Sequence, residues 1–320
     1  MANPHYWGPV PNVKRVIFRP LSNDATRVAA LLSGEVHLAY NLPVRDIERV
    51  MNNKNTKVIG TPGPDIMHIC FDVTRENTPG FKGGKNPFLD KRVREAFAIA
   101  IDKEAIIEHV YNGNGYIAAQ LPIPGANGYV RSLEPYPYDP VRAKQLMVEA
   151  GYPDGFDVVW DVPSQRYLND GPNTQAIAGY LAKVGIRVDL NFIPSNQYLD
   201  YIRPGDKTTM YYGASGTGKG DIGSWYNALF FTRGVIDRYG NSNRTHYSNP
   251  RVDELLMEAD STADIKVRTK CLEEVTKIIY DDYAFIPIFQ YRDNYGAAMG
   301  VNFRPRVDAF IFRVADISLE

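Results

Sequence analysis

Gly213-Ala-Ser-Gly-Thr-Gly-Lys219 has the glycine spacing of a phosphate-cradling loop, where backbone amides wrap phosphate oxygens and a lysine reaches the terminal phosphate. In such loops a Ser or Thr hydroxyl follows the lysine and binds Mg2+. Gly220 stands there instead, and no apolar strand ending in Asp follows to give the second magnesium contact. A loop whose backbone approaches a small molecule closely needs the same glycines. The five histidines (His5, His37, His68, His109, His246) form no i,i+4 pair, and Cys70 and Cys271 lie far apart. Neither set has the spacing of a zinc site. There is no GxSxG elbow, and Asp281-Asp282 near a helix end reads as a solvated pair. No complete catalytic or metal constellation is present, and no cofactor is expected. A phosphate- or nucleotide-handling enzyme built on Gly213–Lys219 remains the rival reading.

Two other groups suit binding rather than catalysis. In PSQRYLND, Arg166 offers a planar fork for a carboxylate, and Tyr167 follows it. Asp221, just past the glycine loop, suits an amine or a hydroxyl. Each has a structural alternative: Arg166 pairing with Asp161 or Asp170, and Asp221 capping a helix that starts near Gly223.

The elements that must position these groups alternate between strand and helix. KRVIFRP (Lys14–Pro20) has the period of a half-buried strand. Ser22, Asn23 and Asp24 offer caps for the helix ATRVAALLSG, closed by Gly34. VHLAY, a short helix around Val44–Met51, and the strands KVIGTP and MHICFDV follow. Gly-rich, polar Thr74–Asn86 reads as a linker and lobe boundary. Next come VREAFAIAI and a helix from Asp102 to Asn112-Gly113, then an irregular surface connection over Gln120–Tyr138, which holds four prolines and two glycines. Asp139-Pro140 opens another helix, which Gly151 ends. Beyond Gly155 lie FDVVWDV, a helix closing near Gly185, RVDLNFIP and TTMYYGAS. Helices over Pro250–Ser261 and Ile265–Tyr280 precede the buried strand FIPIFQY. This alternation is the signature of a layered α/β fold.

The 320 residues exceed one typical domain, and 44% hydrophobic residues are enough for a sizeable core. A balance of 36 Lys and Arg against 37 Asp and Glu gives no basic surface for nucleic acid. The 21 tyrosines, with 14 Phe and 3 Trp, suit a core and the lining of a ligand cleft. No run of 18 apolar residues occurs, and MANPHYWGPVPNVKR has no secretory-signal pattern.

Three ordered stretches resemble the extracellular solute-binding proteins of family 5, which serve peptide, nickel and opine importers. They are NPFLDKRVREAFAIAIDKEAIIEHVYNGNG (Asn86–Gly115), YDPVRAKQLMVEAGYPDGF (Tyr138–Phe156) and NRTHYSNPRVDELLMEADSTADIKVRTKCLEEVTKIIYDDYAFIPIFQ (Asn243–Gln290). The opening NPHYWG…RPLSNDATRVAALLSGEVHLAY is similar to the family's stretch just before them. The resemblance implies an α/β, bilobal fold like the type II periplasmic binding proteins, trapping a peptide-like solute in an interlobe cleft for ABC importer permease subunits. It implies residues 1–73 as partial lobe I, 74–286 as the ligand-binding lobe III and 287–320 as a return to lobe I. Family members carry an export signal, early lobe I strands and a small domain before NPxYW. These do not precede it here, so one lobe is expected complete and the other partial, with an exposed edge suited to homo-oligomers. The implied location is periplasmic. After the strand like TTMYYGAS the family often has a Trp and an acid that meets a peptide amine, positions matched here by Ser215 and Gly218. Asp221 matches a second acidic position, and Arg166-Tyr167 an Arg-Tyr pair of some subfamilies. The expected solute contacts are therefore His68, Arg166, Tyr167, Ser215, Gly216 and Asp221.

Overall fold

The computed structural model describes residues 12–217, 220–307 and 313–320. The first part of the chain forms α1 (Asp24–Leu32), β1 (Leu38–Ala39), α2 (Ile47–Met51), β2 (Thr56–Phe71), α3 (Lys91–Ile99), α4 (Lys103–Tyr111) and β3 (Gly115–Ile117). Then come α5 (Pro140–Glu149), β4 (Phe156–Ser164), α6 (Asp170–Lys183), β5 (Ile186–Pro194), α7 (Ser195–Ile202) and β6 (Met210–Gly216). The last part holds α8 (Gly223–Leu229), α9 (Pro250–Ser261), α10 (Ile265–Asp281), β7 (Phe285–Ala298), β8 (Val301–Phe303) and β9 (Ile317–Leu319).

Several helices start where a side chain can take an orphan N–H. Asp90 accepts from Arg92 N at 2.9 Å, Asp102 from Ala105 N at 2.9 Å and Asp139 from Arg142 N at 2.8 Å. Asn249 and Asp264 do the same for α9 and α10. Pro140 and Pro250 stand in first turns, where a missing N–H costs nothing. At the other end of α4, Asn112 adopts a left-handed φ of 48° and Gly113 follows at 71°.

The chain divides into two units. One comprises residues up to Pro64, Asn114–Tyr116 and those from Tyr291 on; the other is Asp65–Gly113 with Ile117–Gln290. The divisions fall inside β2 and β7, and Thr74–Asn86 lies within the second unit. There Asn86 is buried and its amide donates to Asp72 O at 2.9 Å and Arg75 O at 3.0 Å. In the first unit β1 pairs antiparallel with β7, β8 with β9, and a small core gathers Val28, Leu31, Leu42 and Val50. In the second unit β2, β6, β4 and β5 are neighbours in that order, β2–β6 antiparallel and the other two pairs parallel. One face of this sheet packs on α8, α9 and α10 through Tyr226, Leu256, Leu272 and Val275.

Three sequence expectations are corrected. KVIGTP and MHICFDV are one 16-residue strand, β2, because its Gly and Pro residues sit in an extended run rather than a turn. Gln120–Tyr138 is irregular but not superficial: Leu121, Ile123 and Val130 are buried, and the Gln120 amide bonds both Val130 N and Val130 O. Such pinning substitutes for a ladder. Residues 14–20 are exposed and outside any strand, since an alternating pattern makes a strand only where a partner backbone pairs with it.

Candidate functional site

β4 runs parallel to β5 through nine register pairs, from Phe156↔Ile186 to Ser164↔Pro194. β6 is parallel to β4, with Asp161 opposite Tyr211. All three strands therefore end on one edge, where loops 165–169 and 217–222 leave the sheet. Crevices outside the carboxyl ends of parallel strands are where α/β folds take ligands.

The first loop is shaped by Asp170, which is only 6% exposed. Its carboxylate accepts the backbone N–H groups of Gln165 (3.3 Å), Arg166 (2.8 Å), Tyr167 (3.1 Å) and Gly171 (2.9 Å). Gln165 and Asn169 adopt left-handed φ values of 59° and 53°, which fold the segment back on that carboxylate. Arg166 is left exposed, its Nε donating to Tyr167 Oη at 3.3 Å and its guanidinium 5.5 Å from the Tyr167 ring. Among the described residues it has no ion pair. Asp161 instead accepts from Asn191 Nδ2 at 2.8 Å, and Asp170 is spent on the backbone. The Tyr167 ring meets Tyr212 edge-on at 5.9 Å, and Asn173 Nδ2 donates to Tyr212 Oη at 2.6 Å.

The other expected residues are held more tightly. Asp221 accepts from Arg268 Nε (2.9 Å) and Nη2 (2.8 Å), Asn127 Nδ2 (2.7 Å) and Gly223 N (2.8 Å). Burial raises its pKa, but the Arg268, Asn127 and Gly223 hydrogen bonds outweigh this and hold the carboxyl below its usual range. Asp221 thus caps α8 and ties it to α10. His68 is 1% exposed, its Nδ1 3.0 Å from Ile66 O and its ring edge-on to Phe285 at 5.6 Å. Burial lowers its pKa to about 4, so the ring is neutral and Nδ1–H donates. It fits because its strand partner is Gly213, where a Cβ would lie 2.9 Å from the imidazole Nε2. Ser215 is 2% exposed. Gly218 and Lys219, the Gly-Lys end of the phosphate-loop pattern, lie outside the described residues. The arrangement leaves Arg166 exposed and Tyr167 half-buried at the edge, whereas His68, Ser215 and Gly216 are buried and Asp221 is tied to Arg268.

One residue escaped the sequence reading. Asp65 opposes Gly216 across the β2–β6 ladder and shares a face with Tyr212. It is half-buried, and its carboxylate makes no hydrogen bond or ion pair among the described residues. Burial raises its pKa to about 6. Its only signal in the sequence is an acid in a run, Pro64–Phe71, that is otherwise apolar except for His68.

Against known proteins, residues 1–236 match the family model described as bacterial extracellular solute-binding proteins, family 5 Middle. Heme-binding protein A of Haemophilus influenzae is 29% identical over 291 residues, covering 90% of this chain and 50% of that protein. Glutathione-binding protein GsiB of Escherichia coli is 28% identical over 289 residues, 88% of this chain and 54% of its own. The chain thus spans about half the length of the curated relatives it matches. Among solved structures, the periplasmic binding protein DppA from Helicobacter pylori, in complex with peptide STSA, superposes with a TM-score of 0.79 at 23% identity. That match covers 99% of this chain and 59% of DppA. AgaA of A. tumefaciens, in complex with agropinic acid, gives 0.72 at 25% identity over 94% of this chain and 59% of AgaA.

Proposed function

The chain belongs to the family 5 bacterial extracellular solute-binding proteins, and from that premise we propose that it captures a peptide-like small solute in the periplasm for the permease subunits of an ABC importer. The reading assigns no turnover to it. The second unit takes the part of the solute-binding lobe, in place of the span 74–286 expected from the sequence. Arg166 is the observation that carries the site: an exposed guanidinium at the carboxyl edge of three parallel strands, oriented by a tyrosine and without an ion pair among the described residues. Such a fork matches a carboxylate. Peptides, glutathione and heme, which the matched proteins are named for, all bear carboxylates. Tyr167 completes the contact surface, while His68, Ser215 and Gly216 form the wall behind it and Asp221 holds α8 in place.

The test is calorimetry on wild type and Arg166→Ala, with the solute identified by native mass spectrometry of the protein as purified. Arg166→Ala is expected to weaken binding at least tenfold, about 1.4 kcal/mol. An affinity within about 0.5 kcal/mol of wild type, the range of ordinary surface substitutions, would remove Arg166 from the site. Steady ATP hydrolysis by the pure protein with Mg2+, abolished by Lys219→Met, would instead favour the phosphate-loop reading.

A further inference from the structure

Asp65 is chemically out of place unless something meets it. Carboxylates that lose water inside a protein are ordinarily paired or hydrogen-bonded, because an unpaired buried charge is costly. Asp65 has neither kind of partner among the described residues. Its nearest neighbours on the same face of the sheet cannot supply one: Met67 follows it two residues along β2, Gly216 lies opposite it on β6 and Ala214 opposite Met67, while Tyr212 is further along, opposite Ile69, with its hydroxyl bonded to Asn173. Directly opposite, Gly216 leaves the carboxylate without a side chain across from it. The loss of solvent that makes the group costly also strengthens its attraction for an arriving cation. β6 lies between β2 and β4, so Asp65 and the end of β4 are two strand spacings, about 10 Å, apart along one edge. Arg166 stands just beyond that end of β4.

We propose that Asp65 receives a cationic group of the solute, an ammonium or a guanidinium, so that this edge selects a solute by its positive group as well as by its carboxylate. This rests on the solute-binding reading above and adds a specificity determinant to it. A peptide-sized zwitterion whose opposite charges lie about one short residue chain apart fits the two positions. An N-acylated analogue would leave the Asp65 carboxylate desolvated and unpaired, which is how a site rejects a ligand that lacks one polar group.

The experiment uses the full chain, immobilised, and two probes: a tryptic casein digest and the same digest with its amines acetylated. Wild type is expected to retain the unmodified peptides at least tenfold better than the acetylated ones. Asp65→Asn is expected to retain both sets alike, at least tenfold below wild type for the unmodified peptides. Its melting temperature at pH 7 should equal or exceed that of wild type, because an unpaired carboxylate has gone. Retention by Asp65→Asn with the wild-type preference intact would overturn the assignment while leaving the solute-binding reading standing. If wild type retains neither digest, the solute-binding reading fails and this assignment falls with it.

Discussion

Arg166 and Asp221 are both charged residues beside strand-end loops, yet their surroundings differ, and the difference lies in distant partners. Asp221 meets Arg268, 47 positions along the chain, and that contact cannot be read from spacing. The Arg166 side chain meets its neighbour Tyr167 and has no ion pair among the described residues, so its surroundings are set by local sequence. His68 was legible as a histidine on an apolar strand but not as a fully buried one, because that depends on Gly213 in another strand. Its burial has a measurable consequence. With a folded pKa near 4 against an unfolded value of about 6.5, the folded state binds fewer protons across that window. Its contribution to stability is therefore complete above about pH 6.5 and is lost as pH falls toward 4. Asp65, raised to about 6 by burial, acts in the opposite sense: its contribution declines as pH rises from about 3.9 to 6. Comparing variant with wild type separates the two. Denaturant melts at pH 7 and pH 4.5 should show wild type losing about 2 kcal/mol more than His68→Gln. Equal losses would mean that His68 is protonated in the folded protein.

At the scale of elements, local chemistry was the readable part. The caps at Asp90, Asp102, Asp139, Asn249 and Asp264 depend on contacts two or three residues away, and each opens its helix as composition suggests. β2 ran against local punctuation because ladder partners hold its Gly and Pro residues extended, and α7 has no cap bond from a side chain to announce it. The starts of β4 and β5 depend on a contact that local reading also misses. Gly155 has φ +70°, and a Cβ there would lie 1.9 Å from the carbonyl oxygen of Gly185, itself at φ +95°. The two glycines let the chain segments meet just before Phe156 pairs with Ile186, which sets the register that carries Ser164 and loop 165–169 to the edge. Because the obstructing atom is backbone, Gly155→Ala cannot be relieved by a rotamer change. It should destabilise the protein by about 3 kcal/mol or more, read from chemical denaturation. A loss below about 1 kcal/mol would show that the β4–β5 junction yields easily.

At the scale of the whole molecule, the two units differ in how completely their apolar surface is covered. The second unit buries large aromatics on both faces of its strands, with Trp160 and Tyr212 on one side and Tyr226 and Phe230 on the other. In the first unit Ile17 and Phe18 are each 65% exposed and Leu319 is 50% exposed. Beside them a groove of about 810 Å³ is lined by Val13, Val16, Phe18, Leu38, Val301 and Ile317. A groove of this size next to backbone that is unpaired among the described residues offers both apolar contact and hydrogen-bonding groups, the combination by which a strand edge recruits another chain. A second copy of the 320-residue chain carries the same apolar surface and can cover it. We therefore expect the chain to self-associate as concentration rises, through the first unit. Light scattering should report a mass above 36.0 kDa at tens of micromolar, falling toward that value on dilution. Ile17→Lys with Phe18→Lys should shift the equilibrium to monomer, since both are exposed in the first unit. A monomer at every concentration, in wild type and variant alike, would show that this surface is tolerated bare.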